Sequence, residues 1–351
     1  MLADQLKEKI TGVLKSKSAV AIGLDIGSYS VKCVGIRHDD GEAALQSAQL
    51  WRLPSGSTEG LVETLRKALP SIGASPKHFR ISVSGPSVFV RNITLPRMTP
   101  AELKSAIRFE AERHIPFSLD DSVLDFQTIG YANNKLSMRV LLVAAKREYI
   151  NQRIKVLADM GLEPEIIDTD IFCFANAFRN LNPDNEMKTY GLLSVGHGSS
   201  SFAIIHDGEL FFVREMLFGG QGVAKALAAA KNISEEAADE WKRKTDPEHR
   251  PDLVSAAQKG FEPLVDELKR SLDYFENETG EDLKVIVAAG GGAKCQGACE
   301  VLSEELGKKV SLWSGARRLE RAGEIDEKFF EEHLPDFHVA YGLALRGVKN
   351  K

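Results

Sequence analysis

The sequence has few of the features that mark secreted or membrane-spanning proteins. Only 4 cysteines occur in 351 residues, at Cys33, Cys173, Cys295 and Cys299, and their spacing does not form the framework of a small disulfide-stabilised domain. No run reaches the roughly 18 consecutive apolar residues that a membrane-spanning helix needs. We therefore expect a reducing, cytoplasmic setting, in which another protein would provide any attachment to a membrane.

The chain also lacks a sizeable basic patch. Its formal net charge is -5, and its basic clusters are short and diluted by acidic residues, whereas counterion-driven binding to nucleic acid needs clustered positive charge. With 43% apolar and 27% charged residues, the composition is that of an ordinary soluble globular protein. The sequence therefore predicts a folded protein of two domains or two lobes, with no nucleic-acid partner.

One order of elements occurs twice along the chain. From residue 19, apolar strands read AVAIGLDIG, SVKCVGIRH and AALQSAQLWRL, with a turn at Asp40-Gly41, followed by a helix and the strand FRISVSG. The order returns as YGLLSVGHG, SSFAIIH and ELFFVREM, with a turn at Asp207-Gly208, then a helix and LKVIVAAGGG. Asp-Gly between apolar runs is typical of a hairpin. The repeat predicts an α/β protein with two duplicated lobes and a cleft between them.

The remaining segments complete the expected domain organisation. Residues 1–18 carry apolar residues at helical spacing, which predicts an amphipathic helix that packs on the body or, alternatively, lies on a membrane surface. Residues 85–165 predict an inserted α+β module, in which Thr99, Pro100 and Glu102 form a capping box. We place the first lobe at 19–84 and the second at 166–345, with a charged insert at 232–260. A C-terminal helix within 335–351 is expected to return to the first lobe.

Three glycine-rich turns follow apolar strands and are candidates for phosphate binding. The first contains Asp25, Gly27, Ser28 and Ser30, with Lys32 in the next strand; the second contains Gly196, Gly198, Ser199 and Ser200; the third contains Gly290, Gly291 and Gly292. Glycine exposes backbone N–H groups to an anion, and serine hydroxyls add donors. Each turn alone is equally compatible with an ordinary hairpin or flexible loop, but together they favour a nucleotide clamp.

A helix upstream of the third turn carries a second set of charged residues. Leu264, Leu268, Leu272 and Phe275 form its apolar stripe, and Lys269 and Arg270 lie on another face. These two side chains could reach a nucleoside over the third turn or lie on a solvated face. The residue pattern by itself favours the solvated face.

The three turns, in this order across duplicated lobes, resemble the phosphate-1, phosphate-2 and adenosine motifs of the actin, Hsp70 and sugar-kinase superfamily. Within it, stretches such as ELKSAIRFEAERHIPF, LDFQTIG, RSLDYF and YGLALR resemble the PilM family of type IV pilus assembly, from about Ala19 to Arg346. The resemblance implies an actin-like ATPase fold of the FtsA type. It has two ribonuclease-H-like lobes, the inserted module in place of actin's second subdomain, and ATP with Mg²⁺ in the cleft.

The resemblance also assigns roles to residues. It implies that all three turns, together with Gly219 and Gly220, bind the nucleotide, that Asp25 holds Mg²⁺ through water, and that Lys269 and Arg270 contact adenosine. It further implies a partner, the short cytoplasmic N-terminal peptide of a PilN-like inner-membrane protein, bound between the first lobe and the module, where we place Arg108, Phe109 and Glu112. The protein would then be cytoplasmic and peripheral to the inner membrane through this partner; self-association and pilus motor ATPases are further candidate contacts.

One position departs from the superfamily pattern. The second phosphate motif usually begins with an aspartate that organises Mg²⁺ or the attacking water, and this chain has Ser194 there. Because a serine lacks the carboxylate charge, we expect weak or no ATP hydrolysis unless another acid, such as Glu215, fills the place. A kinase of the same superfamily is an alternative, but no second cleft aspartate is expected. An FtsA-like membrane-associated filament protein is another, but the C-terminal RGVKNK is too short and polar for a membrane helix.

Overall fold

A computed structural model of the protein describes residues 20–39, 42–54, 57–72, 79–132, 135–182, 185–243, 247–323 and 325–346. The expected helix at 1–18 and the turn at Asp40-Gly41 lie outside the described residues. Within the described ranges, no helix is long and apolar enough to cross a membrane.

Groups of one to three strands are separated by one to three helices along the described chain. The strands are β1 Val20–Ile26, β2 Ser30–Asp39, β3 Glu42–Arg52, β4 Phe79–Val83, β5 Val88–Pro96, β6 Ser122–Ala132, β7 Ser137–Lys146, β8 Pro164–Thr169, β9 Tyr190–Val195, β10 Ser200–His206, β11 Glu209–Met216, β12 Val285–Ala289, β13 Lys309–Leu312 and β14 Glu320–Arg321. The α-helices are α1 Thr58–Ile72, α2 Pro100–Glu112, α3 Arg147–Ala158, α4 Asp170–Leu181, α5 Gly220–Lys231, α6 Glu235–Arg243, α7 Arg250–Thr279, α8 Ala298–Leu306, α9 Glu327–His333 and α10 His338–Ala344.

The two large sheets have the same topology. The first has the strand order β14-β3-β2-β1-β4-β8, and the second has the order β11-β10-β9-β12-β13. In each, the first strand of the repeat pairs antiparallel with the second and parallel with the fourth, since β1 pairs with β2 and β4 as β9 pairs with β10 and β12. The predicted duplication is therefore confirmed as a repeated sheet.

Helices cover the first sheet on both faces. On one face, Leu61 and Leu65 of α1 pack with Leu24 and Phe79 in one apolar cluster. On the other face α10 comes so close to β1 that a Cβ added at Gly23 would overlap the carbonyl oxygen of Ala340. A residue without a side chain is therefore required at this crossing.

The C-terminal helix is attached to the first sheet by charged side chains as well. Arg80 on β4 donates from Nη1 to the carbonyl oxygens of Leu343, Ala344 and Arg346 at 3.1, 3.1 and 2.6 Å. These carbonyls belong to the last turn of the helix and its C-terminal end, where backbone oxygens lack intrahelical partners. Arg346 in turn donates to the carboxylate of Asp168. The C-terminal helix thus packs on the first sheet.

The boundary between the lobes differs from the sequence expectation. We placed the start of the second lobe at residue 166, but β8 pairs in parallel with β4, with Ile81 opposite Ile167. Strand β8 is therefore the edge of the first sheet. The residues of a short edge strand alone do not reveal which of two sheets the strand joins, because the pairing uses backbone groups that every strand offers.

The inserted module is a three-stranded antiparallel sheet, β5-β7-β6, covered by α2. The predicted capping box is confirmed, since Thr99 Oγ1 accepts from the backbone N–H of Glu102 at 3.3 Å and Glu102 Oε2 accepts from the backbone N–H of Thr99 at 2.7 Å. The module also contacts the second lobe, because Asn92 Nδ2 donates to the carbonyl oxygen of Phe211 at 2.5 Å.

Candidate functional site

The first two glycine turns are structural counterparts in the two lobes. The N–H of Gly27 donates to the carbonyl of Ser30 at 3.1 Å, and the N–H of Gly196 donates to the carbonyl of Ser199 at 2.9 Å. Just before each turn, Asp25 lies opposite Lys32 in the β1–β2 register, and Ser194 lies opposite Ser201 in the β9–β10 register. Asp25 and Ser194 therefore occupy equivalent positions, as their places in the sequence repeat indicate.

A cleft of about 470 Å³ separates these turns, a volume in the range of small-molecule sites. The predicted residues that line it are Asp25, Gly27, Ser28, Ser30, Lys32, Gly196, Ser199, Ser200, Glu215, Gly220, Gly290, Gly291 and Gly292. Four other predicted nucleotide-binding residues, Gly198, Gly219, Lys269 and Arg270, are not part of this lining. The three turns thus meet at one cavity, although they lie in separate parts of the chain.

The third turn packs directly against the second. The N–H of Gly292 donates to the carbonyl of Val195, and the N–H of Gly290 donates to the carbonyl of Pro335, both at 2.9 Å. Gly290 has φ of +94°, and a Cβ there would overlap the carbonyl oxygen of Val195, so glycine is needed. Gly291, by contrast, is exposed to the cleft, and its nearest neighbour for an added Cβ is Asp336 Oδ1 at 3.2 Å. A flat group in the cleft could therefore lie directly on this backbone.

A buried ion pair lies beneath the first turn. Lys32 Nζ is 3.0 Å from Asp25 Oδ2, and the two side chains are 15% and 7% exposed. Burial opposes a charge on Lys32, but the attraction of the Asp25 carboxylate and its hydrogen bond outweigh burial, so the pKa of Lys32 is raised. Lys32 is therefore a permanent cation on the cleft floor.

Six further acids line the cleft, and among them Asp170 and Glu215 have a raised pKa. Of these two, the sequence predicted only Glu215. Asp170 begins α4, and burial together with the charge of Asp25 raises its pKa to about 6. Burial and the nearby Asp170 raise the pKa of Glu215 well above its usual value. Our expectation that no second aspartate lies in the cleft was wrong, because β8 belongs to the first sheet and ends beside β4. The signal was an acid directly after an apolar strand, in the stretch EIIDTD.

Ser194 forms a short hydrogen bond with a histidine from the far end of the chain. Ser194 Oγ is 2.6 Å from His338 Nε2, and His338 Nδ1 is 3.0 Å from the carbonyl oxygen of Pro335. A carbonyl only accepts, so Nδ1 carries the proton and Nε2 accepts the hydroxyl hydrogen of Ser194. Burial lowers the pKa of His338 to about 4, and the ring is neutral at pH 7.

Side chains from both lobes meet across the mouth of the cleft. The ring of Tyr29 in the first turn stacks on the ring of His197 in the second, with centroids 4.8 Å apart. Arg243 at the end of α6 donates to the hydroxyl of Tyr29. Its neighbour Lys242 donates to the carbonyl of Gly220 and pairs with Asp239, both at 2.7 Å. The charged insert of the second lobe therefore forms one wall of the cleft, which the sequence did not indicate.

Lys269 and Arg270 lie on the exposed side of α7. Lys269 Nζ is 3.7 Å from Glu305 Oε2, and Arg270 Nη1 is 2.5 Å from Glu267 Oε1, with the two basic side chains 48% and 62% exposed. The predicted apolar stripe of the same helix is buried, including Leu264 and Phe275. The structure therefore places this pair on the solvated face that the residue pattern favours.

The residues present fit a nucleotide with its metal ion. Backbone N–H groups, serine hydroxyls and Lys32 face one polar cavity, which suits phosphate groups. Among the described residues, no group of three or more His, Cys, Asp and Glu side chains converges as a metal site. Mg²⁺ binds phosphate oxygens and water with only one or two carboxylates, and the carboxylate of Asp25 lines the cavity at the first turn.

The fold and the cleft define the class of the protein, which has the actin-like ATPase fold. A solved structure of ethanolamine utilization protein EutJ from Carboxydothermus hydrogenoformans aligns with a TM-score of 0.53 at 15% identity, over 94% of this chain and 90% of that one. EutJ of Escherichia coli K12 is 24% identical over 152 residues, or 43% of this chain, and the match spans only 49% of that curated relative.

A second comparison narrows the class to a family. The family of type IV pilus assembly protein PilM matches residues 23–348, and the chain belongs to this family. A solved PilM-PilN type IV pilus biogenesis complex aligns with a TM-score of 0.79 at 25% identity, over 95% of this chain and 99% of that one. The resemblance noted in the sequence is thus confirmed for both the superfamily fold and the family.

Proposed function

We propose that this protein is an ATP-binding scaffold at the cytoplasmic base of a type IV pilus machine, and that it binds the cytoplasmic tail of a PilN-like inner-membrane protein. Membership of the PilM family carries the pilus assignment. The chain aligns with a solved PilM-PilN complex at 25% identity and a TM-score of 0.79, which supports a PilN-like partner. The partner would hold the protein at the inner membrane.

The polar cleft supports ATP as the ligand. The first and second turns would hold the phosphates, with Lys32 as the buried cation, and Gly291 would form the floor under the adenosine. Asp25 would hold Mg²⁺ through water, because its carboxylate is already paired with Lys32. Bound Mg²⁺ supplies charge neutralisation for the phosphates. Gly198 belongs to the second turn, and Gly219 packs against it so closely that an added Cβ would lie 2.7 Å from the carbonyl oxygen of Gly196. Both would therefore act by shaping the backbone of this turn.

The inserted module supports a peptide partner. On α2, Arg108, Phe109 and Glu112 are exposed, and Phe109 is 64% exposed, a large fraction for an aromatic side chain. Aromatic side chains and arginine are enriched in protein interfaces, where they serve as anchors. The module also contacts β11 of the second lobe through Asn92, so a change in lobe angle would reach this surface. ATP would alter partner affinity if it favours one lobe angle.

Nucleotide binding can be tested by calorimetry with ATP and Mg²⁺. Gly291→Trp should abolish binding, since the indole would fill the cleft, whereas Gly291→Ala should bind nearly as the wild type because its Cβ meets only Asp336 Oδ1 at 3.2 Å. Equal affinity of both variants and the wild type would remove the third turn from the site. Lys269→Ala and Arg270→Ala should change the affinity little, because both side chains lie outside the cleft.

Partner binding can be tested with a peptide from the cytoplasmic N-terminal tail of a PilN protein. Titration of the apo and ATP-bound forms should give different affinities, and Phe109→Ala should weaken binding by roughly 10-fold or more, as loss of an aromatic anchor does. Tyr274→Ala is the matched control, because Tyr274 is also exposed, at 41%, but lies on α7 of the second lobe. If neither form binds the peptide, the partner assignment fails while the family assignment stands.

A further inference from the structure

Ser194 and His338 together have the arrangement of an activated nucleophile. The hydroxyl of Ser194 donates to His338 Nε2 over 2.6 Å, and the ring is held from its other side by the Pro335 carbonyl. A serine becomes a nucleophile when an adjacent base accepts its proton and a third group orients that base. Here a backbone carbonyl serves as the orienting group.

The ring of His338 is fixed by packing as well as by hydrogen bonds. It lies edge-on against Phe174, with ring centroids 4.9 Å apart, and its residue is 4% exposed. Because burial lowers its pKa, the imidazole is neutral at pH 7 and its Nε2 lone pair is free to accept a proton. The pair is therefore a hydroxyl directed at a fixed neutral base, in a cleft wall that both residues line.

Two other serines of the cleft, Ser200 and Ser84, hold different hydrogen bonds. The hydroxyl of Ser200 donates to the carbonyl of Phe218 at 2.6 Å, a partner that cannot take its proton. The hydroxyl of Ser84 bonds to Asp170, whose carboxyl holds a proton more readily than usual. Ser194 is thus the cleft serine whose described partner is a neutral nitrogen base.

We propose that Ser194 is a self-phosphorylation site, which accepts the terminal phosphoryl group of ATP bound in the cleft. This inference rests on the proposed ATP binding. The Ser194 Oγ–phosphorus bond forms as the bond between that phosphorus and its bridging oxygen breaks, and the electron pair leaves with ADP. The Ser194 proton passes to His338 Nε2 and then to solvent water. Lys32 and Lys294, both on the cleft lining, offset the charge of the transferred group.

The position of Ser194 gives the modification a consequence for the lobes. Ser194 lies on the second sheet, whereas His338 begins α10, which packs on the first sheet through Gly23. A phosphoserine would replace the Ser194–His338 hydrogen bond with a dianion between the lobes. The phosphoserine would remain on the protein after ADP dissociates.

The test is incubation of the full chain with ATP and Mg²⁺, followed by intact-mass measurement and peptide mapping. We expect a mass gain of one phosphoryl group per chain, located on the peptide that contains Ser194 and absent in Ser194→Ala. His338→Asn should slow incorporation by about 10²-fold or more, because its amide nitrogen can keep the bond to Pro335 while the base is lost. Ser105→Ala, on exposed α2, should be labelled like the wild type.

Several outcomes would overturn the inference. Phosphate on Ser84 or any other residue, an unmodified chain, or release of inorganic phosphate without labelled protein would each contradict it. Thermal unfolding of each variant shows whether it remains folded, and Ser194→Thr, which keeps a hydroxyl, should regain label if the hydroxyl is the acceptor. Calorimetry separates the two proposals: a wild type that binds ATP but stays unlabelled contradicts only this inference, and one that does not bind ATP contradicts the proposed function.

Discussion

The buried pair of Lys32 and Asp25 offers the sharpest test of how the cleft is built. Replacing Lys32 with Met keeps the length of the side chain but removes its charge. At the observed 3.0 Å, two unit charges attract by about 5.5 kcal/mol with an effective dielectric of about 20. Part of this is offset by desolvation, and breaking one side of a buried pair typically costs about 3–5 kcal/mol. We expect Lys32→Met to lose that amount in the free energy of unfolding.

A double-mutant cycle measures the pair itself. Asp25→Asn leaves a buried cation and should also destabilise, but the double variant Asp25→Asn/Lys32→Met leaves neither charge of the pair and should recover most of the loss. The assay is urea unfolding of all four proteins at pH 7.5. A coupling energy below about 0.5 kcal/mol, the range of exposed pairs, would refute the view that the pair is desolvated.

The pH dependence of the cycle supplies an independent check. The folded-state pKa of Lys32 is raised above its ordinary value of 10.5, so its contribution is fully present below pH 10.5 and is lost only as the pH rises through the higher folded-state value. The loss in the free energy of unfolding caused by Lys32→Met should therefore stay the same across neutral pH. A loss that disappears between pH 7.5 and pH 9, below the folded-state pKa of Lys32, would contradict the charge argument.

Three further predictions concern separate features. Gly23→Ala should lower the free energy of unfolding in the urea assay by about 1–3 kcal/mol, as overpacking does, because its Cβ would overlap α10. Gly198→Ala is the control and should have little effect, because open space surrounds Gly198. Tyr29→Ala should speed nucleotide release by up to about 10-fold in a stopped-flow chase, since it loses the stack on His197 that joins the two lobes. An unchanged rate would show that this stack does not retain the nucleotide. Asp170→Asn should raise the melting temperature at pH 7.5 but not at pH 4. The pKa of Asp170 is about 6 in the folded state and 3.8 ordinarily, so ionisation of this carboxyl destabilises the folded state as the pH rises. A shift of equal size at both pH values would contradict this.

Local patterns in the sequence were sufficient for the elements and the turns. Alternating and continuous apolar runs between glycine turns indicate strands. The same order of strands and helix occurs twice in the sequence, which supports the assignment in both places. The capping box at Thr99 and Glu102 involves residues only three apart, so its chemistry is visible in the sequence. The equivalence of Asp25 and Ser194 also follows from the repeat, and the register of both hairpins agrees.

The composition of the cleft, in contrast, was decided by contacts between distant parts of the chain. His338 is 144 residues from Ser194 in the sequence, and Arg243 is 214 residues from Tyr29, yet each pair is hydrogen-bonded. No local sequence pattern predicts such contacts. Asp170 enters the cleft because β8 joins the first sheet rather than the second. Conversely, Lys269 and Arg270 stay outside because the rotation of α7 about its buried stripe points them at solvent.

The two lobes, the three turns and the absence of a carboxylate at Ser194 can be predicted from the sequence, because each is visible in residues that are near neighbours along the chain. The hydrogen-bond partner of Ser194 can be found only in the folded chain, because it comes from a distant segment. A histidine from α10 lies against the serine, because the C-terminal helix crosses β1 at Gly23, where the absence of a side chain permits close packing. Long-range packing, and not local propensity, sets which chemical groups meet in the cleft.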